Sequence, residues 1–173
     1  MLNTYLNVIF IRNYISVMIF IILFFLCPFS SYCDESEVPK GEIVIRISGL
    51  RNNNGIIRAL LFNTSDGFPA NHKNSFALKN VRTENDSVLF VFSDIPYENY
   101  AVSVLHDENE NGKLDTNWIG LPKEGVGVSN NVKSKFGPPK FEDAKFKLNS
   151  KTINLTITIN YLSLFKVSEN SEN

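Results

Sequence analysis

One stretch of the chain combines side-chain type and spacing in a way that suggests chemistry: His106-Asp107-Glu108-Asn109-Glu110-Asn111-Gly112-Lys113-Leu114-Asp115. Counted from Asp107, the residues Asp107, Asn109 and Asn111 take positions 1, 3 and 5 of an EF-hand-type calcium loop. Gly112 takes the sharp turn at 6, Lys113 the backbone-carbonyl position 7, and Asp115 position 9. A tight loop turns successive odd positions inward, so alternating oxygen-bearing side chains wrap a hard cation, and the glycine lets the backbone reverse. Position 12 is Trp118 where a bidentate Glu belongs, so a calcium site here needs a borrowed carboxylate. Glu124 and Asp143 are the candidate lenders. Calcium held this way falls in the weak extracellular class, with a Kd on the order of 10⁻⁴ to 10⁻³ M. The competing reading is a ligand-free turn whose Asp and Asn side chains bond to nearby backbone amides.

Two other chemistries use neighbouring residues. A hydrolase-type site would take His106 as base beside Asp107 or Glu124, with Ser129 or Asn130 to hold substrate. A lone His at a strand end is more often packed and hydrogen-bonded, and two His without a spacing motif do not make a zinc site. A binding surface would use Trp118, Phe136 and His106 as contacts for a glycan, a peptide or an envelope component. Against it stands the expectation that Trp118, the single tryptophan, plugs the end of the fold.

These residues need a scaffold, and the chain supplies one after its first 33 residues. That opening segment contains no Asp or Glu, has Arg12 as its one charge, and runs apolar from Ile15 to Phe29. About 15 apolar residues suit a signal-peptide core better than a bilayer span of about 20. Ser31 and Cys33 provide small residues at −3 and −1 for cleavage before Asp34. Lipidation at Cys33 and a retained anchor are the alternatives, and a membrane is a partner only if the segment is retained. Export places the protein in the periplasm or outside the cell. Without Arg12 the chain keeps 16 basic and 18 acidic side chains, so it lacks the basic field that nucleic acid requires. Cys27 and Cys33 leave with the segment, which removes disulfides, thiolate metal sites and thiol catalysis from the mature domain.

Residues 34–40 read as a linker, 41–165 as one β domain and 166–173 as a disordered tail. Ile43, Ile45 and Ile47 alternate with polar residues, and Asn52-Asn53-Asn54-Gly55 predicts a hairpin turn into a strand over 56–62. A weaker strand is expected at 76–81. The continuous run Val88 to Phe92 predicts a central strand covered on both sides. Tyr100, Val102, Val104 and His106 share one face of the next strand. Regularity then stops for some 35 residues before strands near 144–148 and 153–161. The total is an antiparallel β-sandwich of about seven strands with one long ordered loop; an open barrel is the alternative.

Over roughly residues 41–161 the chain resembles the bacterial domain of unknown function 2141 family. The resemblance is carried by Ala59-Leu60-Leu61-Phe62 with Gly67-Phe68-Pro69, and by Tyr100-Ala101-Val102-Ser103-Val104 leading to His106-Asp107-Glu108-Asn109. It continues through Asn111 to Asn117, Gly120-Leu121-Pro122-Lys123-Glu124-Gly125, Gly127-Val128-Ser129-Asn130, Pro138-Pro139 and Phe141 to Ala144. It implies an exported bacterial protein with a transthyretin-like or prealbumin-like sandwich. It supplies no activity and no catalytic residue.

Overall fold

The computed structural model describes residues 38–83, 87–134 and 137–161. The export segment, residues 34–37 of the linker, Phe136 and the tail lie outside the described residues.

Among the described residues eight strands form two sheets. They are β1 (Lys40–Ser48), β2 (Ile56–Phe62), β3 (Ala77–Arg82), β4 (Val88–Pro96), β5 (Asn99–Asp107), β6 (Gly125–Val128), β7 (Phe146–Lys147) and β8 (Thr152–Thr158). The smaller sheet has the order β4-β1-β8 and the larger β3-β2-β5-β6, with β7 paired to the start of β5. Every pair is antiparallel except β1 with β8, where Ile43 to Ile47 run parallel to Ile153 to Ile157.

Alternation builds the core. Ile43, Ile45 and Ile47 of β1, Phe90 and Phe92 of β4 and Ile157 of β8 face Ile57, Ala59 and Leu61 of β2 and Tyr100, Val102 and Val104 of β5. The outer face of the larger sheet is covered as well. There Leu60, Phe62, Ala101 and Val128 pack with Phe141 and Ala144 of a four-residue helix, α1 (Phe141–Ala144), and with Phe68. The strand buried on both faces is therefore β5, which the sequence pattern shows as alternating. The apolar run of β4 lies at a sheet edge, with Leu89 exposed and Val91 half-buried.

The expected hairpin between the first two strands does not form. β1 and β2 belong to different sheets, and residues 49–55 cross from one to the other. A local turn signal fixes the reversal but not the partner, which is chosen by the face each strand must bury. The interval after His106 also holds more regularity than expected, since β6, α1 and a 3₁₀ turn at Ser129–Asn131 lie within it.

Side-chain bonds close the corners. Tyr100 donates its hydroxyl to the Pro96 carbonyl at 3.0 Å, fixing the turn into β5 as tyrosine corners do in Greek-key sandwiches. Burial, with Glu98 nearby, pushes that phenol up to about 12. Val126 and Asn160 exchange backbone hydrogen bonds of 3.0 and 2.8 Å, which ties β6 to the chain just beyond β8. Asn131 donates its side-chain amide to the Thr156 carbonyl at 3.0 Å and accepts the Thr158 N–H at 2.8 Å, so one side chain covers part of the open β8 edge.

Candidate functional site

The acidic loop leaves the C-terminal end of β5, where His106 lies between Ile57 of β2 and Gly125 of β6. His106 is buried, with Nε2 2.7 Å from the Asn54 carbonyl and Nδ1 2.6 Å from the Tyr161 hydroxyl. A carbonyl can only accept, so Nε2 carries the hydrogen. In the neutral ring Nδ1 then accepts from Tyr161, whose oxygen in turn accepts the Arg51 N–H at 3.2 Å. Both nitrogens are used inside the fold, and a ring with no exposed surface is not a contact for a ligand; this corrects the expectation of His106 as a binding contact.

Asp107 follows, also buried. Its two carboxylate oxygens accept the N–H groups of Asn111 at 3.1 Å and Gly112 at 2.8 Å. Gly112 has φ +77, a conformation that favours glycine, as the reversal at position 6 requires. Arg58 lies 3.9 Å from Asp107 and donates to the Gly112 carbonyl at 2.8 Å.

Glu124 holds the loop from the other side. It is 4% exposed, and its oxygens accept the N–H groups of Glu108 at 3.1 Å and Asp115 at 3.0 Å. Burial pushes its carboxyl up from the ordinary range; the two amide bonds oppose this, while Asp107 and Asp115 add to it. Glu108 goes the other way. Arg51 donates to it through Nε at 2.8 Å and through a second guanidinium nitrogen, Asn52 adds a bond of 2.6 Å, and the Arg51 pair holds its carboxyl below the ordinary range. Arg51 also lies 4.5 Å from the Tyr161 ring centroid. Farther out, Arg82 makes two bonds to Glu110 at 2.7 and 3.0 Å.

The odd-position residues do meet. Asn109 and Asn111 donate their side-chain amides to the two oxygens of Asp115 at 2.7 and 3.1 Å. Their own side-chain oxygens accept the N–H groups of Asn111 and Lys113 at 3.2 and 2.8 Å. Lys113 itself is exposed. The turn and the oxygen-rich donor set are of the kind calcium takes. As it stands, however, the loop closes on N–H groups. Among the described residues no group of three or more His, Cys, Asp or Glu side chains converges to hold a metal ion. Asp143, the other candidate lender, lies on α1, where its carbonyl accepts from Asn130.

Beyond the acidic block the chain forms a small hairpin over residues 115–123. Lys123 N–H bonds to the Asp115 carbonyl at 2.8 Å, Thr116 bridges Pro122, and Asn117 N–H bonds to the Leu121 carbonyl at 2.8 Å. The Asn117 side chain accepts the N–H groups of Ile119 at 3.1 Å and Leu121 at 2.9 Å, which shapes the tip. Trp118 at that tip is 91% exposed and Ile119 is 47% exposed. The expectation that Trp118 plugs the sandwich is thus corrected: the hairpin ordered by Asn117 carries it away from the core.

The sequence model described as an uncharacterized protein conserved in bacteria (DUF2141) matches residues 45–156. The chain belongs to that family. The match runs from β1 into β8 and takes in the whole acidic loop and its hairpin. No curated protein matches this DUF2141 chain significantly. No solved structure does so either.

In this DUF2141 domain the groups suggested for substrate are occupied by the fold. Ser129 is buried, donates to the Ala144 carbonyl at 2.6 Å and accepts the Val102 N–H at 2.9 Å. Asn130 donates to the carbonyls of Asp143 and Lys145 at 3.1 and 3.0 Å. Sequence reasoning missed Arg51, Arg58 and Tyr161, which complete the network from other parts of the chain. One signal was available: Arg58 is a charge inside an otherwise apolar strand, a position that calls for a partner.

Proposed function

We propose that the domain is a non-catalytic binding module of the exported compartment, periplasmic or extracellular, that contacts an envelope component through the hairpin over 115–123. One observation carries this reading: a tryptophan left 91% exposed on a loop whose base is fixed by two buried carboxylates. A large aromatic side chain gains by leaving water, and a rigid base lowers the entropy lost when it does so. Export is supported by the acid-free opening and its apolar run from Ile15 to Phe29.

Because Trp118 is the single tryptophan, selectively excited tryptophan emission reports on this hairpin alone. Titration with peptidoglycan fragments, envelope polysaccharide, envelope peptides and phospholipid vesicles should shift its emission with one of these classes. An emission spectrum that none of them moves would dispose of the reading.

A second reading, calcium stabilisation of the loop, is favoured by the way Asn109 and Asn111 both address Asp115. Turning over the two side-chain amides directs oxygen instead of nitrogen to that point, and Asp107 and the Lys113 carbonyl belong to the same turn. Glu124 then contributes by holding the Asp115 backbone. Millimolar calcium should raise the unfolding midpoint relative to chelator, and Asp115→Ala should remove the increase. An unchanged wild-type midpoint ends this reading.

A further inference from the structure

We propose that the partner of the hairpin is the interface of a lipid bilayer carrying anionic phospholipid, with Trp118 and Ile119 entering the headgroup region and Lys113 and Lys123 contacting lipid phosphates. This rests on the reading of the hairpin as the contact surface and names what it contacts.

Three observations lead to a membrane surface. Of the large apolar side chains exposed among the described residues, Leu114, Trp118 and Ile119, at 36%, 91% and 47%, fall within six residues at and just before the hairpin, while Val38, Phe76, Leu78 and Leu89 are scattered along the rest of the chain. Gly120 continues the tip, and a Cβ built there would meet nothing within 4 Å, so the tip stands clear of the sandwich. A tryptophan beside aliphatic residues is the composition that settles at the boundary of headgroup and acyl chain, where the indole ring is buried and its N–H stays hydrated.

Charge is sorted along the same axis. The acidic side chains at the base are answered from within the fold: Glu108 by Arg51, Glu110 by Arg82, and Asp107 by backbone amides with Arg58 close by. Asp115 and Glu124 are met by the side-chain amides and backbone N–H groups described above. Lys113 and Lys123 flank the hairpin, are exposed, and make no ion pair among the described residues. Residues 116–122 carry no acidic side chain. The domain over residues 41–165 is nearly neutral, with 14 basic and 13 acidic side chains, and its hairpin presents apolar groups with two cations beside them. That local pattern complements an anionic bilayer. A glycan site would call for polar side chains grouped around the indole, and the side-chain oxygen of Asn117 is already given to the hairpin's own N–H groups.

The test uses the full chain and reads Trp118 emission, which follows the hairpin whatever the N-terminal segment does. Vesicles of phosphatidylcholine alone are compared with vesicles of phosphatidylcholine mixed with phosphatidylglycerol. The expected result is a blue shift and protection from acrylamide in the anionic vesicles, both weakened by salt. Replacing Lys113→Gln and Lys123→Gln should reduce apparent affinity about five-fold each. Trp118→Ala, scored on the full chain by its sedimentation with anionic vesicles in excess of that with neutral ones, should reduce it at least about ten-fold. Circular dichroism confirms that each variant is folded. Emission that stays red and fully quenchable in anionic vesicles overturns the proposal. If envelope polysaccharide or peptide shifts the emission while vesicles do not, the hairpin is a contact surface but its partner is not a membrane.

Discussion

The base and the tip of one loop solve opposite problems. At the base, from His106 to Asp115 with Glu124, polar side chains turn inward and are consumed by backbone N–H groups, by one another, or by Arg51 and Arg58. At the tip, three residues beyond Asp115, the largest apolar side chain of the chain turns outward. This reverses the usual arrangement, in which apolar groups fill and polar groups face water. Buried carboxylates that accept backbone amides cost desolvation but fix geometry, whereas an exposed indole adds nothing to folding. The base is thus a stabilising device, and the tip is the contact surface of the function proposed above.

The largest effect that separates them is expected at Asp107. Asp107→Ala removes a buried carboxylate, takes the acceptor from the Gly112 N–H and one of two acceptors from the Asn111 N–H, and should cost about 3 kcal/mol of stability in denaturant unfolding. A cost near zero would mean that the base is held by something else. Next comes Tyr161→Phe, which takes the hydroxyl from His106 and Arg51 and should cost about 1–2 kcal/mol.

The pH dependence of the base follows from its two glutamates. Glu108 is held low by Arg51, so its contribution is present above the ordinary carboxylate range and fades as pH falls through its folded-state value. Arg51 is half exposed and screened, which limits the contribution to about 1 kcal/mol or less. Glu108→Gln should remove that part of the acid sensitivity. Glu124 is raised by burial, so the folded state holds its proton more tightly than the unfolded chain does. Stability then declines as pH rises from the ordinary carboxylate range to the folded value, and Glu124→Gln should flatten this decline. Unfolding midpoints from acid to neutral pH measure both. The smallest effect on stability belongs to the tip. Trp118→Ala should change it by less than about 0.5 kcal/mol, and a larger loss would mean that the indole packs against the domain after all.

How much of this could be read from sequence depended on whether the signal was local. β2 and β5 could be placed because their patterns and flanking turns lie within a few residues. β6 was missed because Gly-Val-Gly-Val carries little strand propensity, and Gly125 and Gly127 are small where Ile157, Ile159 and Tyr161 pack closely. β4 looked central because its residues are apolar throughout, yet its place at an edge is set by which strand β1 chose. At the site, the meeting of Asn109, Asn111 and Asp115 was legible from spacing. Glu124 was found as a neighbour of the loop, though it reaches backbone amides. The bonds of His106 to Asn54 and Tyr161 were not legible, since they join residues more than 50 positions apart.

The parallel pairing of β1 with β8 brings the first strand of the domain beside its last. Ile157 and Ile159 complete the core from that far end, so the smaller sheet cannot finish until nearly the whole domain has been synthesised. Contacts so distant in sequence form slowly. A nascent chain therefore stays open until its closing strand arrives. Fusing a stop codon before Thr152 should accordingly leave a protease-sensitive chain, because the strand that completes the sheet never appears.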